Sequence, residues 1–160
     1  MAGESIMTNE VQAMIGTMAE PVIMEVERGA IRRYADAVGD DNPLFHDVEL
    51  AKNAGYEDII CPPGFWGWAI KGKETIGGGL SMVGAVLVKA GLFRILDGGV
   101  DQEFYIPIRA GDTLTAYAKI ADIREREGKA GKMVFTTVET TYLNQNGDKV
   151  AVSRGTIIAR

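Results

Sequence analysis

Within residues 40–47 the chain places three carboxylates (Asp40, Asp41 and Asp47), an amide (Asn42) and its only histidine, His46. A carboxylate and an imidazole that converge on one water form a general acid/base pair. Such a pair can add or remove the elements of water next to a carbonyl, and positioned proton transfer is worth about 10²–10⁴-fold in rate. The reaction also needs a donor for the enolate oxygen that develops. Backbone N–H groups at a helix start suit this, and Pro62-Pro63-Gly64 leads into a segment that reads as a helix. A structural reading of the same residues stands beside the chemical one. Asp-Asp-Asn-Pro is turn chemistry, able to do no more than cap neighbouring helices, and a histidine near an aspartate often serves only as a hydrogen-bond partner.

The loop lies between two helical patterns. Ile31, Tyr34, Ala35 and Val38 repeat at helical spacing, and Gly39 stands where a left-handed C-terminal residue is expected. Asp47 caps a short helix that runs to Asn53 or Ala54, where Gly55 ends it. Upstream, Val11, Met14, Ile15 and Met18 predict an amphipathic helix before Pro21, so that residues 1–15 form a helical extension. Val22, Met24 and Val26 then alternate as a short strand.

Downstream, Trp66 or Trp68 with Ile70 form a helical stripe. The triplet at 77–79 interrupts it as a break, loop or flap, and Leu80, Val83, Val86, Leu87 and Ala90 resume the helical spacing. Beyond Gly98-Gly99 the pattern turns to strands over 100–108, 113–124, 132–143 and 149–159, separated by a charged turn at 125–131 and by Asn146-Gly147. Both residues of that dipeptide tolerate positive φ, which makes it a hairpin signal. The layout is α+β, one antiparallel sheet packed against helices on one face, in a single domain over 1–160.

Composition narrows the function classes. A chain of 160 residues with 46% apolar and 24% charged side chains is of globular type and not disordered. Its 17 basic and 22 acidic residues give a net charge of −5, so nucleic acid and anionic membrane are not expected partners. Cys61 alone cannot form an intrachain disulfide, and one histidine excludes a His-rich metal centre. No signal-peptide pattern opens the chain, and its longest apolar stretch is about half the roughly 20 residues a spanning helix needs. A soluble cytoplasmic protein is expected.

Asp40-x-Asn42-Pro43 and His46, followed by Ala51, Gly55-Tyr56 and Ile59-Ile60, resemble the hydratase motif of the MaoC-like enoyl-CoA hydratases and dehydratases. Pro62-Pro63, Gly98-Gly99 with Glu103-Phe104, the run from Pro107 to Leu114 and that from Asn146 to Ala151 resemble more closely the FAS1-like dehydratase branch. The resemblance implies a hot dog fold, in which an antiparallel sheet wraps a long central helix. It implies pairing with a second hot dog, as a homodimer or a heteromer, around an acyl-CoA thioester. The implied reaction is reversible hydration of a trans-2-enoyl-CoA to an (R)-3-hydroxyacyl-CoA, with no cofactor and no metal. Asp40 and His46 would hold the water, Asn42 would orient the loop or the water, and the Gly64 amide at the start of the central helix would bind the thioester oxygen.

In that family the histidine follows Asp-x-Asn-Pro after one residue, whereas here Leu44 and Phe45 intervene. Asp41 keeps the five-residue spacing to His46, so either aspartate could be its partner. Many relatives pair a catalytic hot dog with a degenerate one. The alternative role is therefore a non-catalytic subunit that shapes the acyl tunnel, and a thioesterase is a third. Arg32, Arg33, Lys71, Lys73, Arg94 and Arg109 are candidates for the CoA phosphates.

Overall fold

The computed structural model describes residues 5–65, 79–128 and 131–160. Its framework is a run of long alternating strands. In β3 (Thr113–Gly128) the residues Leu114, Ala116, Ala118 and Ile120 are buried, while Thr115, Tyr117 and Lys119 take the opposite face. An irregularity between Ile120 and Asp122 shifts the phase by one, so that Ile123 then faces inward. β4 (Gly131–Leu143) buries Val134, Thr136, Val138, Thr140 and Tyr142, and β5 (Lys149–Ala159) follows the Asn146-Gly147 turn.

Two further strands complete the sheet. β1 (Val22–Glu25) pairs with β3, and β2 (Ile95–Phe104) pairs with β5. The order is β1-β3-β4-β5-β2, with every neighbouring pair antiparallel.

One face of this sheet carries the helices. α4 (Gly79–Ala90) sets Val83 and Leu87 against Ala118, Val138 and Ala159, and sets Val86 against Ile120, Ile123 and Val134. The other end of the same face is covered by α2 (Arg28–Val38), a 3₁₀ turn over Pro43–Phe45, and α3 (Val48–Asn53). There Ile31, Ala35, Phe45, Ala51 and Ile59 pack with Leu114, Ala116 and Tyr142. The 40–47 loop is thus tied to the core on both sides.

Several expectations are revised. The N-terminal helix α1 spans only Asn9–Gln12. The chain then turns through Gly16 at φ 87°, and Met18 forms a bridge with Lys119. The apolar spacing at Val11–Met18 therefore reflects packing of a turn, not two helical turns. β2 begins at Ile95, not after the glycine pair: the strand runs through Gly98-Gly99 as a bulge and ends before Pro107. A Cβ on Gly98 would meet the Thr156 carbonyl oxygen at 2.8 Å, and Gly99 has φ 99°, so the glycines permit pairing where they resemble a break. The charged 125–131 segment is mostly strand, since β3 reaches Gly128 and β4 starts at Gly131. Residues 66–78, with Trp66, Trp68, Ile70 and the Gly77-Gly78 part of the triplet, lie outside the described residues, and the helix described beyond them is α4.

The N-terminal segment is fastened by one carboxylate. Glu125 accepts from the Ser5 hydroxyl at 2.9 Å and from the Ile6 N–H at 2.7 Å, and it pairs with Lys132 at 3.0 Å. Lys132 first, then Ser5 and the Ile6 and Met7 N–H groups, hold its pKa down from 4.5 to about 2. A depressed carboxylate stabilises the folded contacts above its unfolded pKa and loses that contribution as pH falls through the folded value. The segment around Ser5–Met7 is therefore expected to loosen as pH drops from 4.5 toward about 2. Hydrogen exchange at Ile6 and Met7 should accelerate across that window. Glu125→Gln should show the loosened behaviour at neutral pH, and unchanged exchange in both experiments would refute the assignment.

Candidate functional site

Gly39 ends α2 in the left-handed conformation at φ 71° and bonds Asp36, while Asp40 N–H reaches back to the Ala35 carbonyl at 2.9 Å. This folds the acidic loop over the last turn of α2. The Asp40 carboxylate accepts the Asn42 N–H at 3.1 Å, and the Asn42 side chain accepts the Leu44 N–H at 3.1 Å, capping the 3₁₀ turn. Asp47 accepts from Glu49 and Leu50 N–H at 2.8 and 3.0 Å and caps α3.

Successive residues in a 3₁₀ turn point about 120° apart, so Phe45 and His46 cannot share a side. Phe45 is buried in the core. His46 turns outward, and its Nε2 lies 2.8 Å from the Asp40 backbone carbonyl. A carbonyl only accepts, so Nε2 carries a proton, and in the neutral form of the ring the lone pair lies on Nδ1. Nδ1 is 3.8 Å from the Asp36 carboxylate, which would pair with it once protonated. Arg32 donates from Nε to the His46 carbonyl at 2.9 Å and fixes the backbone behind the ring.

Asp40, Asp41, His46 and Asp36 line one open depression of about 520 Å³, with Asp47 and Leu50 at its side. The structure thus brings Asp40 and His46 together, through the Asp40 backbone rather than a carboxylate–imidazole hydrogen bond. Neither Asp40 nor Asp41 is the carboxylate that faces the ring. That is Asp36, which the sequence reading passed over, and the signal that could have found it is Gly39, whose left-handed turn stacks residue 40 on residue 36.

Asn42 and Gly64 stand apart from this depression. Asn42 lines a second cleft of about 410 Å³ with Phe45, Cys61, Pro63, Phe104 and Ile106, among other residues. The cleft is apolar, and its lining holds no carboxylate or imidazole. Burial pushes the Cys61 thiol pKa well up, so the thiol is no nucleophile at neutral pH. Gly64 sits at φ 89° in a turn closed by Phe65 N–H to the Pro62 carbonyl, and the Tyr34 hydroxyl lies 3.1 Å from where a Cβ would be. Only glycine fits there. Of the phosphate candidates, Arg32 holds the His46 carbonyl and Arg109 pairs with Glu57 at 2.8 Å, while Lys71 and Lys73 lie outside the described residues.

Among the described residues no three His, Cys, Asp or Glu side chains gather to hold a metal, and no helix is long and apolar enough to cross a membrane.

Comparison with known proteins places this geometry. The family described as FAS1-like, dehydratase domain region, matches residues 13–153. A protein named UPF0336 from Saccharopolyspora erythraea is 32% identical over 151 residues, covering 93% of this chain and 90% of that protein. A probable enoyl-CoA hydratase alpha subunit from Thermomonospora curvata is 28% identical over 165 residues, covering 96% of this chain and 51% of its own length. Among solved structures, a chain of the ChsH1-ChsH2 complex from Mycobacterium tuberculosis superposes with a TM-score of 0.76 at 19% identity, over 93% of this chain and 86% of that one. The fold is the hot dog.

Proposed function

This chain belongs to the family of FAS1-like dehydratase domain regions, and from that membership we propose that it adds water reversibly to a trans-2-enoyl thioester. The product is an (R)-3-hydroxyacyl thioester, and the chain works as one of two paired hot dog subunits. The observation that carries the reading is the shared pocket of Asp40 and His46, with the lone pair on Nδ1 of a ring anchored through Nε2.

In this mechanism a water sits between the Asp40 carboxylate and Nδ1. Its oxygen bonds to Cβ of the enoyl group as Nδ1 takes one proton. The π electrons move to the thioester oxygen, where the developing enolate requires a hydrogen-bond donor. Collapse of the enolate draws the proton from Nδ1 to Cα, so none is gained or lost overall. Asp36 steadies the imidazolium during the interval, and Asn42 holds the loop by capping the 3₁₀ turn. Kinship with an enoyl-CoA hydratase subunit supports the substrate class.

The test is an assay of the purified chain with crotonyl-CoA and longer trans-2-enoyl-CoAs, following loss of the conjugated thioester absorbance. Turnover is expected. One observation favours a second reading, a supporting subunit that shapes the acyl tunnel beside a catalytic partner: Phe45 stands where the family motif has its histidine, lining an apolar cleft without an acid or base. That reading predicts silence from the folded chain alone and turnover once a second hot dog chain is added.

A further inference from the structure

The proposed chemistry requires Nδ1 of His46 to be held in one place, and part of that hold comes from α2. His46 caps the 3₁₀ turn. Its N–H bonds the Pro43 carbonyl at 3.1 Å, and the Asp47 N–H bonds the same carbonyl at 2.9 Å. The carbonyl of a cap residue lies beyond the bonds of its own turn and needs a donor from elsewhere. Arg32 supplies it, donating from Nε at 2.9 Å.

Arg32 and Asp36 stand four residues apart on α2 and so share one face of the helix. The Asp36 carboxylate lies 3.8 Å from Nδ1, while Nε2 is fixed on the Asp40 carbonyl at 2.8 Å. One helix face therefore meets His46 at both ends, the main chain through Arg32 and the ring through Asp36. The other hydrogen bonds that hold this residue run to backbone carbonyls of the loop itself, and Arg32 contributes the side-chain donor. The Cα of His46 belongs both to the peptide that Arg32 holds and to the side chain that bears the ring, so movement of that peptide carries Nδ1 with it.

We propose that Arg32 is a positioning residue for His46, holding the 46–47 peptide so that Nδ1 meets the water, and that it is not a ligand for the phosphates of the thioester carrier. The inference rests on the hydration reading above and assigns one of the six basic candidates a different task. Misplacement of a reacting group by about 1 Å can cost about 10²-fold in rate, and losing one of several anchors is expected to cost about tenfold. The two tasks separate kinetically. A positioning residue lowers kcat whatever carries the acyl group, whereas a phosphate ligand raises KM for the CoA thioester alone.

The test compares the full chain with Arg32→Ala and Arg32→Lys on crotonyl-CoA and on the crotonyl thioester of N-acetylcysteamine, which has no phosphate. Arg32→Ala is expected to lower kcat about tenfold on both, leaving the ratio of the two KM values unchanged. Arg32→Lys should recover part of the loss, because an ammonium reaches the carbonyl without the planar fork of the guanidinium. Arg32 is exposed, so the fold should survive both changes, as thermal melts will check. A second readout needs no turnover. His46 is the chain's one histidine, so the imidazole nitrogen signals in the magnetic resonance spectrum of the untagged chain belong to it. In alkaline buffer, where imidazole is neutral, wild type is expected to show the Nε2–H tautomer and Arg32→Ala a mixture of both. A rise in KM confined to crotonyl-CoA, wild-type kcat on both thioesters, or ring signals identical to wild type would each overturn the proposal. If wild type is silent in the hydration assay, the tautomer readout still decides whether Arg32 sets the ring, and only the catalytic reading falls.

Discussion

Asp40→Asn and His46→Ala are each expected to lower kcat for enoyl-thioester hydration by about 10²–10⁴-fold, with the fold intact. Asparagine at position 40 keeps an oxygen to accept the Asn42 N–H, so the loop turn survives while the charge that orients the water is lost. Alanine at 46 removes the Nδ1 lone pair, and the ring, 28% exposed, belongs to none of the buried core clusters. Asp36→Asn separates positioning from acid/base work. It should lower kcat by less, because Asp36 acts through its contact with the ring. Far-ultraviolet circular dichroism and thermal melts control for folding. Wild-type kcat in both Asp40→Asn and His46→Ala would remove the acid/base assignment. An inactive wild type that gains turnover from a partner, unaffected by either change, would move the chemistry to that partner.

The second large effect concerns stability. Asp112 is 6% exposed, accepts the Arg109 N–H at 2.9 Å and the Gln145 side-chain amide at 3.1 Å, and its backbone carbonyl accepts from Val26. Gln145 in turn accepts the Thr113 N–H at 3.1 Å. The carboxylate therefore joins the approach to β3 to the β4–β5 turn, while the backbone carbonyl of the same residue holds the chain after β1. Asp112→Ala strips the acceptor from the half-buried Arg109 N–H and from the exposed Gln145 amide, each hydrogen bond to a charged group contributing about 1.5–3 kcal/mol, so the expected loss is about 3 kcal/mol, the lower end for the two. That corresponds to a fall in Tm of about 6–12 °C for a chain of this size. Asp112→Asn, which keeps one acceptor oxygen, should recover part of it. Denaturant titration with unchanged slope measures the difference, and a loss no larger than that of the exposed Asp41→Ala would refute the role.

Local chemistry was legible wherever a residue acts on its own neighbours. The left-handed end of α2 at Gly39, the Asp47 cap of α3 and the turn at Gly147 with φ 84° follow from side chains bonding backbone within a few positions. The alternation of most of β3 and of β4 was readable because one face of each strand is buried, whereas β5 was readable from its Val, Ile and Thr content. Glycine misled the reading at β2. Gly98-Gly99 resembles a break, and only the close approach of the Thr156 carbonyl makes glycine the residue that lets the strand continue. Apolar spacing misled it at Val11–Met18, where Val11 and Met14 pack against α4 and the sheet but Ile15 and Met18 are exposed.

By itself the sequence determined the α+β layout, the acidic loop between two helices and the family motif around Asp40, Asn42 and His46. Those features depend on residue type and short spacing. Tertiary structure decided which way each side chain of the motif points. The 3₁₀ turn must send one of Phe45 and His46 inward, and burying the phenyl ring against Ile31 and Ala51 favours Phe45, which leaves the imidazole at the surface. It also decided that Asp36, ten residues before the histidine, becomes the carboxylate beside it, because the left-handed turn at Gly39 folds the loop back over α2. Gly39 marks the turn in the sequence, but the contact itself exists only once the core has fixed that turn.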